Sequence, residues 1–236
     1  MLDFGFIWSH IGLFEKSLIL TLEISLYGIA LALLIGLMCA CVLVEISRID
    51  FSDKHSRPST HIRMVLTLTK WLITSYVEIS RNTPLLIQLF FLYFALPKLG
   101  IVLEAFTCAV IGLAFLGGGY MCESFRAGLS SISKSQVESA LSIGLSRFSI
   151  LRYVVLPQGF GIALPSINAN IIFLIKETSV VGVLALADVL YTSKDIIDLY
   201  GKTYEALAML LLMYMIVLLP ISLGASALES SLRKKL

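Results

Sequence analysis

Apolar positions along this chain gather into five stretches separated by polar segments. They run about Ser17–Val44, Thr83–Pro97, Val102–Cys122, Gly159–Ala187 and Tyr204–Leu228. A bilayer core takes about 20 apolar residues per helix, so these lengths predict an all-α integral membrane protein of about five transmembrane helices. The second stretch is short for a span; it either begins earlier, inside Trp71–Ser80, or is partly re-entrant. Ahead of it Val65, Leu68, Trp71, Leu72, Tyr76 and Ile79 recur at roughly helical spacing. That pattern predicts an interfacial or elbow helix over Met64–Ser80, with Trp71 and Tyr76 at headgroup depth. Arg81-Asn82-Thr83-Pro84 breaks the chain, and Pro84 suits the first turn of a new helix. The polar segments Ser47–Arg63 and Asp188–Glu205 read as solvated loops, the second alternatively as a rim that meets an external partner.

Composition removes the soluble classes. Of 236 residues, 58% are hydrophobic and 14% charged, and the mean hydropathy is +0.91. The whole chain, 1–236, reads as one transmembrane domain. Its first apolar run is too long for a signal-peptide core and lacks a small-residue cleavage pattern after it, so it reads as a retained span. Lys and Arg set orientation. Arg48, Lys54, Arg57, Arg63, Lys70 and Arg81 follow the first span, Arg126, Lys134, Arg147 and Arg152 follow the third, and Arg233-Lys234-Lys235 ends the chain. Those thirteen fall on one side, against Lys16, Lys98, Lys194 and Lys202 on the other. The N-terminus is therefore expected outside and the C-terminus in the cytoplasm. The basic residues sit where topology needs them, so no nucleic-acid partner is expected. Cys39, Cys41, Cys108 and Cys122 fall in apolar runs, as small buried fillers do, and His10, His55 and His61 share no ligand spacing, so no metal is expected. Gly201-Lys202-Thr203 has the tail of a phosphate loop, but Ile196 stands where that loop needs glycine.

One polar interruption, 133–158, has internal design. Val137, Ala140 and Leu141 form one apolar stripe; Phe148, Leu151 and Val155 form another. Gly144 between them can close a helix in a left-handed cap, and Ser146 can N-cap the next. Ser135-x-x-Glu138 has the form of a capping box, and Pro157 is expected to stop the second helix. Two short helices at an angle are predicted; from pattern alone they could equally lie passively on lipid headgroups.

Glu138-Ser139-Ala140, then Gly144, then Val154-Val155-Leu156-Pro157 resembles the EAA motif of type I ATP-binding-cassette importer permeases, with Ser139 replacing an alanine and Val154 an isoleucine. Three further segments are similar to those of polar amino-acid permeases, the subgroup that includes histidine, glutamine and arginine permeases: Tyr76–Gln88 around Glu78-x-x-Arg81-x-Thr83-Pro84, Glu123-x-x-Arg126-Ala127-Gly128, and Lys176-Glu177-Thr178-Ser179. The likeness extends from about Lys16 to the C-terminus. The segment Ser47–Arg63 is longer than is usual there.

The resemblance implies an inner-membrane, multi-pass subunit that imports a polar amino acid such as glutamine, glutamate, histidine or arginine. Glu138, Ala140, Gly144, Leu156 and Pro157 would couple it to a cytoplasmic ATPase dimer, which holds the ATP and magnesium; no cofactor is expected on this chain and no catalytic residues of its own. A second permease chain, identical or paralogous, and a periplasmic amino-acid-binding protein would complete the machine. The same machinery could carry an opine or another small nitrogen compound, and a secondary transporter driven by protonation of Glu23, Glu123 or Glu177 is the rival class.

Ionisable groups inside a membrane are costly and face protein or water. Lys176 and Glu177 are therefore candidates for substrate contact, or alternatively a structural ion pair. Thr178, Ser179 and Gln88 could face the pathway or a neighbouring helix. Glu23 and Glu123 lie near span ends. Gly117-Gly118-Gly119 favours close helix contact over a hinge.

Overall fold

The computed structural model describes residues 2–48 and 59–233, with side chains through residue 230. Among them no strand occurs. The helices are α1 (Phe4–Arg48), α2 (Thr60–Asn82), α3 (Leu85–Phe90), α4 (Ala105–Ser130), α5 (Lys134–Ser142), α6 (Arg147–Ile150), α7 (Leu156–Glu177), α8 (Val189–Tyr200) and α9 (Thr203–Arg233). Four helical runs are long and apolar enough to cross a membrane, and five if the two segments flanking Thr83-Pro84 count as one broken span. The short second stretch is helix that begins directly after that proline, as one half of a broken span or a re-entrant segment would. The solvated loop expected over Ser47–Arg63 falls largely outside the described residues, since 49–58 are not among them.

Several boundaries differ from the pattern-based expectation. The first span is part of a 45-residue helix. Nothing in it is proline, and its hydroxyls satisfy themselves: Ser17, Thr21 and Ser25 donate to the carbonyls of Phe14, Ser17 and Thr21 at 2.9, 3.0 and 2.7 Å. Such bonding lets polar side chains sit in an apolar helix. The third span runs on to Ser130, placing Glu123 and Arg126 within the helix. The stretch Asp188–Glu205 is not a solvated loop: most of it is α8.

The chain divides into two compact units, Met1–Leu31 with Thr83–Leu116 and Ile171–Ser226, and Ala32–Asn82 with Gly117–Asn170 and Ala227–Leu236. In the first, Phe14, Val189, Ile196, Ala206, Met209 and Met213 form a core. Asp188 N-caps α8, accepting from the amides of Leu190 and Tyr191 at 3.3 and 3.0 Å, and Gly201 closes the helix with φ +63°. The start of α1 is tied to α9: Lys202 Nζ meets Asp3 Oδ2 at 2.9 Å, and the Asp3 amide donates to Glu205 Oε1 at 3.0 Å. That lysine holds the Asp3 carboxyl below its ordinary value.

The second unit is built on near backbone contact. A Cβ on Gly36 would meet the Met121–Cys122 backbone, one on Gly128 the Gly159 carbonyl, and one on Gly159 Leu129. Gly118 and Gly119 leave room for the Tyr76 hydroxyl and the Ser80 hydroxyl of α2. The glycine run is therefore used for close approach, as small residues are between membrane helices. Polar links join α4 to α7: Ser124 Oγ lies 2.7 Å from Ser166 Oγ and accepts from Asn170 Nδ2 at 2.8 Å.

Candidate functional site

Two features of the second unit form the candidate site: an elbow and a charged cavity. The elbow is α5 and the helix that follows it. Ser133, not Ser135, is the N-cap of α5; its Oγ accepts from the Gln136 amide. Glu138 lies past the first turn and is exposed, so it does not hold the helix start. Ser133-x-x-Gln136 is itself of capping-box form, and Ala140 is the buried residue of the helix. The helix ends in a full Schellman closure. Gly144 at φ +85° donates to the Leu141 carbonyl at 2.9 Å, and Leu145 to that of Ala140 at 3.1 Å. Ser146 then caps the next helix as expected, accepting from the Ser149 amide at 3.2 Å.

Pro157 does not stop that helix. Helix continues from Arg147 to Leu184, because a wide turn over Leu151–Val155 intervenes, in which the Leu156 amide reaches back five residues to Leu151. A π-turn of this kind accommodates the missing N–H and the ring of Pro157. The elbow thus has one short arm and one arm continuous with a membrane-length helix.

Each apolar stripe of the elbow is split between two faces. Ala140 and Val155 are buried, while Leu141 and Phe148 are 46% and 69% exposed; outside the stripes, Ile150 is buried and Ile143 is 78% exposed. Of the predicted coupling residues, Ala140 is inward, Leu156 half-buried, and Glu138, Gly144 and Pro157 are exposed. Sequence reading placed Gly144 and Ser146 correctly but did not single out Ile143.

The cavity has a volume of about 340 Å³. One wall is a face of α2: Arg63, Thr67, Lys70, Thr74, Glu78 and Arg81 are spaced three or four apart, as one helix face requires. The last four line the cavity. Opposite stand Glu123 and Arg126 of α4, joined in a two-pronged ion pair at 2.6 and 3.1 Å. Leu43, Val44 and Val77 supply apolar wall. Glu78 accepts from Asn82 Nδ2 at 2.9 Å and among the described residues is in no ion pair. Arg81 stands over the Tyr120 ring at 5.4 Å. Among the described residues neither Lys70 nor Arg81 has a carboxylate partner. The cavity therefore offers both signs of charge beside an apolar wall. Of these groups only Glu123 was a substrate-pathway candidate from sequence, although Glu78, Arg81 and Arg126 stand in the segments that resemble polar amino-acid permeases; the polar face of α2 was the signal for Lys70 and Thr74.

The other candidates lie in the first unit. Lys176 is exposed and Glu177 ends α7 half-buried; no ion pair joins them. Thr178 is buried, its hydroxyl donating to the Ile175 carbonyl at 2.7 Å, and Ser179 is half-buried beside it. They open a 3₁₀ turn, Thr178–Leu184, against which α3 packs. On α3, Gln88 donates to the Thr83 carbonyl and hydroxyl at 3.1 and 2.8 Å. Gln88, Thr178 and Ser179 thus share one pair of elements. Glu23 is exposed on α1 and belongs to no such group.

Comparison with known proteins gives a consistent result. Residues 63–234 match the family described as "Binding-protein-dependent transport system inner membrane component". A protein of Bacillus subtilis named probable glutamine ABC transporter permease protein GlnM is 33% identical over 165 residues, 70% of this chain and 76% of its own length. The glutamine transport system permease protein GlnP of Escherichia coli K12 is 30% identical over 233 residues, 98% of both chains. A crystal structure of an amino acid ABC transporter with histidines is 28% identical, with a TM-score of 0.81, covering 98% of this chain and 99% of that one.

Proposed function

The chain belongs to the family of binding-protein-dependent transport system inner membrane components, and from that premise we propose that it is the membrane subunit of a polar amino-acid importer driven by ATP on separate subunits. It is a transporter component rather than an enzyme, and its family works with an ATPase, a binding protein and a second permease chain. In this reading the chain sits in the inner membrane with its N-terminus periplasmic. The elbow faces the cytoplasm, where Leu141, Ile143 and Phe148 dock on an ATPase dimer that binds ATP and magnesium. Glu138, Ala140, Gly144, Leu156 and Pro157 give the elbow its form. The partner permease is identical or paralogous, and a periplasmic binding protein delivers the amino acid.

The charged cavity carries the substrate reading. An amino acid is a zwitterion, and the cavity presents Lys70 and Arg81 next to Glu78, none of them in an ion pair among the described residues. Arg81 and Lys70 receive the α-carboxylate, Glu78 the α-ammonium, and the Glu123–Arg126 pair closes the far wall. Lys176, Glu177, Thr178, Ser179, Gln88 and Glu23 are assigned to the pathway, without a defined contact.

The test is uptake by the complete transporter in liposomes. A charge-assisted hydrogen bond is worth about 1.5–3 kcal/mol, which is about ten- to a hundredfold in affinity. Arg81→Met and Glu78→Gln should each raise the transport KM by at least the lower figure. Unchanged KM in both would remove the cavity from the substrate path, and uptake that persists without ATP would overturn the energy source.

A further inference from the structure

We infer that Arg48 is a positioning residue of the coupling step, linking the elbow to the end of α4. The inference rests on the reading of the elbow as the ATPase-docking element. Arg48 is the last residue of α1, and its Nη2 donates to the Leu129 carbonyl at 3.0 Å. That carbonyl lies in the final turn of α4, where a helix has no internal donor left for its carbonyls and favours a cation. Nη1 lies 3.7 Å from Glu45 Oε1, too long for a hydrogen bond, and is enclosed without a partner among the described residues.

The same side chain borders a half-open cleft of about 50 Å³, whose other walls are Glu45, Val137, Leu141, Arg147 and Ile150. Val137 and Leu141 come from one arm of the elbow, Arg147 and Ile150 from the other. One guanidinium therefore grips the end of α4 and faces both arms. The covalent route from α4 to the elbow is only Ser131-Ile132, after which Ser133 caps α5. Ser131 Oγ and amide both bond back to the Gly128 carbonyl, at 2.6 and 3.3 Å, so that route is already folded onto α4. A push on the elbow reaches α4 through this short connection and across Arg48.

The experiment uses the complete transporter and measures substrate imported and ATP hydrolysed together across Arg48→Lys, Arg48→Gln and Arg48→Met. Lysine keeps charge and donors, glutamine keeps one donating group, and methionine keeps only apolar bulk. Small displacements of a working group cost up to about a hundredfold; the ratio of ATP hydrolysed to substrate imported should rise by about tenfold for methionine, less for glutamine and least for lysine. A ratio unchanged along the series overturns the inference, including the case where import and hydrolysis fall together, because that is loss of structure rather than of coupling. Lysine no better than methionine also overturns it. If methionine fails to assemble, the lysine-to-glutamine step decides alone. Failure of the elbow reading is separable: normal uptake by Gly144→Asp removes docking itself, whereas loss there with a flat Arg48 series removes only the link.

Discussion

The first arm of the elbow and helix α8 are written in the same local code and do opposite things. Each is a short helix with an oxygen-bearing N-cap, Ser133 or Asp188, and each closes on a glycine in the left-handed region, Gly144 or Gly201. In α8 the cap is wholly buried, and Val189, Thr192, Ser193 and Ile196 are buried with it. In the elbow arm only Ala140 is buried, and Leu141 and Ile143 stand out into open space. Caps and turns thus define where a short helix begins and ends. Which residues its flanks bury decides whether it is part of its unit's core or a surface built to meet something.

The sharpest way to break this contrast is Gly144→Asp. A side chain at this φ costs about 1–2 kcal/mol per residue, and the added charge sits beside the exposed apolar face. Insertion should persist while uptake falls to background; normal uptake, measured in intact cells, would sink the docking role of the elbow. Next, paired truncations should separate. Ile196→Ala should destabilise the protein by about 3 kcal/mol through a cavity, read as a drop in the detergent unfolding midpoint. Phe148→Ala should leave that midpoint in place and lower uptake. Equal loss of stability in both would erase the distinction.

The smallest expected effect concerns the cap of α8. Burial pushes the Asp188 carboxyl up to about 6 from an ordinary 3.8, against the opposing influence of its amide bonds and Lys194; the Tyr214 hydroxyl is its other titratable neighbour. A carboxyl raised in the folded state contributes stability that is complete below the ordinary value and is lost as pH rises through about 6. The loss should be on the order of 2 kcal/mol. Asp188→Asn keeps the capping oxygen, so the unfolding midpoint should lose its slope between pH of about 4 and 6. An unchanged slope would place the titration elsewhere.

The contrast also shows what a single sequence displays. The apolar runs, the glycine turn at 144 and the Ser146 cap were legible because each is a local preference with one physical cause. Helix α8 was not, since Thr192, Ser193, Lys194, Asp195 and Asp198 dilute its hydropathy; the apolar recurrence at 189, 196 and 197 between Asp188 and Gly201 was the available signal. The Ser133 cap was missed because Ser135-x-x-Glu138 competes with it two residues on, and both have capping-box form. The course of the chain past Pro157 depends on a wide turn that no local residue preference announces. The cavity was half visible: Glu123 drew attention as a pathway candidate and Glu78 and Arg81 as part of a family-like segment, while their grouping with Lys70 became evident only once the polar face of α2 met α4.

The near contact of backbones in the second unit has a mechanical consequence. Where Gly36 meets the Met121–Cys122 backbone and Gly128 meets Gly159, no side chain lies between the helices to bend, rotate or be squeezed. Layers without compliant filling cannot creep past one another by small degrees; they shift together as one block or separate outright. A stroke delivered to any one of these segments should therefore arrive at the others undamped, and the unit should respond to load as a stiff lever with its play confined to its ends.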